Sequence, residues 1–277
     1  MDGLEATVRR VIAASGAARV GVAAGRLGEP LAVSIAADEP FYAASTMKVA
    51  VLLEVYRRTW LGALALDGRV TVRNAFRSLV GGEPFALDAA EDSDDGLYAL
   101  EGEAVPVGEL ARRMVVRSSN LATNLLVDGL GAEAIDATVR RLGVEGVNVV
   151  RGVGDDAAFA AGRNSTVTAA GLADLLERIA DGSAAPPDAC AAMLDVLAAQ
   201  EFNEGIPAGL PTGTRVAHKT GWIASLYHDA GVVYPAAAPP YVLVVLTEGL
   251  DETAAGPALV AAVAREVHAV LATQAVD

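Results

Sequence analysis

Strand-forming runs lie near both ends of this chain, and the long middle is helical. Two runs near the start, residues 19–24 and 31–36, flank a Gly-rich turn at residues 25–30, and three more come late, at 215–219, 230–234 and 241–247. Between them the apolar spacing predicts helices at residues 45–60, 107–117, 120–130, 132–142 and 168–180. Leu4, Val8, Val11 and Ile12 share one side of a further helix at the N-terminus, and residues 253–273 form the last one. This order implies one mixed, mainly antiparallel sheet built from both termini, with flanking helices and an inserted all-helical lobe. The expected fold class is therefore α/β in the α+β sense. No linker or internal repeat divides the chain, so residues 1–277 are read as a single catalytic unit. Its α/β lobe would take residues 1–44 and 205–277, and its helical lobe residues 45–204.

Charge and composition remove several function classes. The formal net charge is −14, a surface that repels phosphate backbones, so no nucleic acid partner is expected. The densest acidic run, Glu91-Asp92-Ser93-Asp94-Asp95, lacks the alternation and terminal Glu of a calcium loop and reads as a solvated loop. No stretch reaches the roughly 18 uninterrupted apolar residues of a membrane span. Cys190 is the only cysteine, which excludes an intrachain disulfide, and its apolar helical surroundings suit a buried inert thiol. The N-terminus has no basic segment followed by an apolar core, so the expectation is a cytoplasmic protein, or a secreted one if a leader was removed.

The lysines carry the functional signal. Of 21 basic residues, only Lys48 and Lys219 are not arginine. A desolvated lysine can become a neutral base, whereas arginine stays protonated. Lys48 lies in Ser45-Thr46-Met47-Lys48, a spacing that sets an ammonium beside a hydroxyl one helical turn earlier. Ser45 would then sit at a helix N-terminus, either as an ordinary N-cap or as a nucleophile whose oxyanion the free amides favour. Lys219 lies in His218-Lys219-Thr220-Gly221 at the end of a strand, where the glycine would let a ligand approach the backbone. Between these two motifs stands Ser118-Ser119-Asn120, at a helix junction where Ser and Asn also serve as caps.

Each motif occurs once, and their order resembles the signature of class A β-lactamases and penicillin-binding proteins. The likeness runs from about Phe41 to Gly249. It implies a serine hydrolase in which Ser45 forms an acyl-enzyme with a β-lactam or related carboxylate-bearing amide or ester. By the same resemblance Lys48 takes the Ser45 proton and Ser118 protonates the leaving nitrogen. Asn120 binds the side-chain amide of the substrate, and Lys219 with Thr220 and Gly221 binds its carboxylate. The backbone N–H groups of Ser45 and Trp222 form the oxyanion hole, with the Trp222 ring narrowing substrate choice. His228, just beyond the third motif, is a further expected substrate contact.

One departure from the family pattern stands out. Class A enzymes carry, on a loop before a helix and four residues ahead of an Asn, a Glu that activates the deacylating water. Matching Asn164 to that Asn places Ala160 at the Glu position, with Asp155 and Asp156 nearby at the wrong spacing. Slow deacylation is the consequence. Two other readings stay open: a cytoplasmic esterase or amidase on the same scaffold, or a penicillin-binding sensor that acylates without turnover. No G-x-S-x-G, H-E-x-x-H or P-loop motif is present, and three scattered histidines make no zinc site, so no metal or cofactor is expected. The sequence leaves the oligomeric state unknown.

Overall fold

A computed structural model describes residues 2–250 and 255–273. Five strands form the main sheet: β1 (Arg19–Arg26), β2 (Val33–Ile35), β3 (Arg215–Ile223), β4 (Leu226–Tyr234) and β5 (Tyr241–Glu248). Their order is β3-β4-β5-β1-β2, and every neighbouring pair is antiparallel. The late strands and the early strands thus lie side by side in one sheet, joined where β5 pairs with β1, and β3 lies at its open edge. Both late strands of the β3–β4 hairpin are longer than their apolar runs suggest. The polar residues from His218 to Asp229 continue the ladder, because cross-strand hydrogen bonds do not depend on side-chain polarity.

Alternation along the strands feeds two cores. On one face Val20, Val22, Leu243 and Val245 pack against Leu4 and Val8 of α1 (Asp2–Ala13) and Leu259, Val263 and Val267 of α9 (Ala255–Leu271). Residues 253 and 254 of the expected last helix lie outside the described residues. On the other face Ala23, Val242, Val244 and Leu246 share one cluster with the helical middle of the chain. Burying each such Val or Leu side chain contributes about 1.5–3 kcal/mol.

The middle folds as α2 (Lys48–Trp60), α3 (Val107–Val116), α4 (Asn120–Leu130), α5 (Ala132–Arg141), α6 (Asp156–Ala160), α7 (Ala169–Ala180) and α8 (Pro187–Ala198). Helix α2 runs through the centre because its first half, from Lys48 to Val55, is buried on every side. Helix α7, assigned by its sequence position to the helical lobe, lies on the sheet against β1, β4 and β5. One hydrophobic cluster therefore joins sheet and helices without a seam. Among the described residues no helix is long and apolar enough to cross a membrane.

Candidate active site

Ser45 does not cap a helix. It sits inside a single 3-10 turn, Ala44–Met47, whose preceding residue makes no side-chain cap, and α2 begins only at Lys48. The turn is entered through Ala44 at φ 44°, a left-handed conformation that costs a non-glycine residue about 1–2 kcal/mol. Ser45 is partly exposed while Ala43, Ala44, Thr46, Met47 and Lys48 are buried, so the hydroxyl-bearing residue is the one solvent can reach.

From the first turn of α2 the Lys48 side chain extends toward α4. Its Nζ donates to the Ser118 carbonyl at 2.7 Å and to Asn120 Oδ1 at 3.0 Å, and lies 3.2 Å from Ser118 Oγ. The lysine is completely buried, and that desolvation pulls its pKa down to about 7, with the Asp92 carboxylate pulling the other way.

Capping at the α3–α4 junction falls to Ser119, whose side chain accepts from Ala122 N–H. Ser118 is thereby left out of the cap. It adopts φ 55°, the second non-glycine left-handed residue at this site, and its Oγ faces Lys48.

Strand β3 closes the third side. A Cβ on Gly221 would lie 2.8 Å from Ser45 N and 3.1 Å from Thr46 N. The glycine therefore makes room for the Ser45 turn itself, not for a ligand as the strand-end reading expected. Lys219 is fully buried, and Nζ donates to the Thr220 carbonyl at 2.9 Å. Burial first, then the charge of Lys48, hold its pKa well below the ordinary lysine value, opposed by Asp229. Thr220 Oγ1 is buried with no hydrogen-bond partner among the described residues. A cleft of about 250 Å³ joins these elements, with Ser45, Ser118, Asn120 and Trp222 on its walls. A buried amine of lowered pKa, hydrogen-bonded to Ser118 and one turn along the chain from Ser45, suits serine acyl transfer.

The family model for the β-lactamase enzyme family matches residues 3–271. This chain belongs to the β-lactamase enzyme family. The β-lactamase of Mycobacterium tuberculosis (strain H37Rv) is 27% identical over 246 residues, covering 83% of this chain and 73% of that protein. An ancestral class A β-lactamase (GNCA) superposes with a TM-score of 0.83 at 27% identity, over 95% of this chain and 98% of the other. PBP-A gives a TM-score of 0.81 at 25% identity, over 96% and 95%. A variant of PBP-A solved as its acyl-enzyme complex with penicillin G gives 0.80 at 25%, over 97% and 96%. The serine-β-lactamase type of fold and function follows from these likenesses.

Within this β-lactamase fold three expectations change. Ala160 is not the cleft residue of its loop. It ends α6, is exposed, and is absent from the cleft wall, where Val153 and Gly154 stand instead. Asn164 is held by Arg151 at 2.7 Å, and Asp155 spends its carboxylate on Ser78, Leu79 N and Ala158 N, so neither supplies a base to Ser45. His228 is not a substrate contact. Completely buried, it accepts from Thr247 N at Nδ1 (3.1 Å) and donates from Nε2 to the Tyr42 carbonyl (2.8 Å), leaving no free nitrogen. Its neighbour Asp229 points to the other face of the strand and pairs with His218 Nδ1 at 2.8 Å.

The acidic run is the third. It is structured rather than a solvated loop. Asp94 is buried and ion-paired with Arg113, while Asp92 accepts from the backbone N–H groups of Asn120 and Leu121 at the start of α4. Asp92 is the site residue missed in the sequence. An acid some thirty residues before a helix gives no local sign that it will hold that helix's N-terminus.

Proposed function

We propose that this β-lactamase-family enzyme opens β-lactam rings through an ester on Ser45 and releases that ester slowly. In this reading neutral Lys48 takes the proton of Ser45 as Oγ bonds to the lactam carbonyl carbon. The C–N bond of the ring then breaks, and its nitrogen takes a proton from Ser118 Oγ, which Lys48 replaces. Lys48 Nζ is hydrogen-bonded to the Ser118 carbonyl and to Asn120 Oδ1 and lies 3.2 Å from Ser118 Oγ, within reach to return a proton to that serine. The N–H groups of Ser45 and Trp222 hold the oxyanion, and Lys219 and Thr220 hold the substrate carboxylate. The observation that carries the reading is the fully buried Lys48 hydrogen-bonded to Ser118 and Asn120, one turn from Ser45.

Slow release rests on the loop wall. Val153 and Gly154 offer no carboxylate to activate water over the ester. General base catalysis is typically worth about 10²–10⁴-fold, so its loss makes deacylation the slow step. The likeness to a PBP-A variant seen as its penicillin G acyl-enzyme supports the covalent route. Intact-protein mass spectrometry with benzylpenicillin tests the proposal. Wild type should gain one penicillin mass that persists, and Ser45→Ala none. Equal labelling of both proteins would overturn the Ser45 assignment, and rapid multiple turnover without an adduct would overturn slow release.

A further inference from the structure

One wall of the cleft carries free negative charge. Toward β3 stand the buried Lys219 and the Thr220 hydroxyl, which is buried, donor-competent and without a hydrogen-bond partner among the described residues. A buried hydroxyl without a partner calls for one, and beside Lys219 an anionic oxygen fits. The facing wall is different. Asp88 and Glu91 line it, both exposed, and neither is ion-paired with an arginine or lysine among the described residues. Among the described residues no cationic side chain lines the cleft surface itself. Asp92 ties this acidic segment to the Asn120 end of α4, so the wall is held beside Ser118 and Asn120.

A substrate whose carboxylate lies toward Lys219 and Thr220, with its reacting carbonyl at Ser45, shares the cleft with this acidic wall and can direct its remaining substituent at it. We infer that the cleft selects zwitterionic acyl donors, with a carboxylate on the leaving-group side and an ammonium on the acyl side chain, through Asp88 and Glu91. The inference rests on acylation of Ser45 by β-lactams. Asp88 also accepts from Ala90 N at 2.9 Å, which fixes its carboxylate in the wall. Glu91 is the freer of the two and is the one to substitute first.

Three penicillins with one nucleus separate the possibilities: ampicillin, with an ammonium on its side chain, benzylpenicillin, neutral, and carbenicillin, with a second carboxylate. Second-order acylation rates are read by mass spectrometry at slightly acidic pH, where the amine is protonated. Ampicillin should outpace benzylpenicillin by about fivefold, the scale of partly exposed ion pairs, with carbenicillin slowest. The spread should shrink in high salt. Glu91→Gln, and further Glu91→Gln with Asp88→Asn, should bring the ratio toward one. Glu133→Gln, the same charge change on exposed α5 surface, should leave the ratio as in wild type. Equal wild-type rates for ampicillin and benzylpenicillin, or carbenicillin fastest, overturn the inference while leaving Ser45 acylation intact. Labelling by none of the three removes the acylation reading as well.

Discussion

Asn124 grips the backbone of Val153 with both ends of its amide: Nδ2 donates to the Val153 carbonyl at 2.8 Å, and Oδ1 accepts from Val153 N–H at 2.7 Å. This clamp fixes the loop wall of the cleft to α4, the same helix whose first residue, Asn120, holds Lys48. The fit is close. A Cβ on Gly152 would fall 2.2 Å from Asn124 Oδ1, so only glycine can precede the clamped residue without a shift.

Removing the clamp should loosen the wall. Asn124→Ala leaves two backbone groups of Val153 without their partners, and each such loss costs about 1–3 kcal/mol. Urea denaturation should show that loss, and limited proteolysis should cut at residues 152–156 before it cuts elsewhere. Unchanged stability together with an intact loop would show that the clamp does not hold the wall.

Val153→Glu should place a carboxylate in the cleft opposite the ester. The expected result is a shorter-lived penicillin adduct, by about tenfold or more, a small part of what a positioned base supplies. Ala160→Glu, at an exposed residue outside the cleft, should leave the adduct lifetime unchanged. Following adduct decay by mass spectrometry distinguishes the two. Faster decay in Ala160→Glu but not in Val153→Glu would restore the assignment made from spacing.

Lys48 must be neutral to accept the Ser45 proton. Its pKa lies at about 7, so acylation should rise with pH through that value and then level off. Asp92 favours the charged amine, so Asp92→Asn should move the rising limb to lower pH. Lys48→Arg keeps the charge but loses the base, and acylation should fall by at least about 10²-fold. A pH-independent rate between mildly acidic and mildly basic conditions would remove Lys48 as the base.

His228 should matter to stability and not to recognition. Burial pulls its pKa from 6.5 to about 4. Between those values the unfolded chain binds the extra proton, so stability falls as pH drops from about 6.5 toward about 4. His228→Gln should flatten that fall, measured as denaturation midpoint against pH, and should lower stability at neutral pH through the lost Tyr42 or Thr247 contact. A changed preference among penicillins with no change in the pH dependence would return His228 to the substrate site.

The three motifs were legible because each is a contiguous run whose spacing fixes local geometry. Ser45 and Lys48 stay one turn apart wherever the segment folds, and Ser118, Ser119 and Asn120 must cap and start a helix in that order. The division of labour between the two serines was not legible. Which one caps depends on the φ of 55° that only the packed junction imposes on Ser118. The loop wall was misread for a similar reason. Counting back from Asn164 assumes a loop of the family's length, whereas here the cleft residue is set by where Asn124 reaches, at Val153.

By itself the sequence determined the fold class, the sheet assembled from both termini, and the spacing of Ser45, Lys48 and Lys219 within their motifs. Those properties follow from hydrophobic periodicity and from residue types a few positions apart, which act locally. The tertiary structure alone decided the rest. It buried Lys48 and so brought its pKa into the useful range, turned His228 away from the cleft and into backbone contacts, brought Asp92 to the start of α4, and set Asp88 and Glu91 on the wall of the cleft that Ser45 and Ser118 line. Desolvation and long-range charge contacts depend on what packs around a group, and those neighbours come from segments tens to hundreds of residues away.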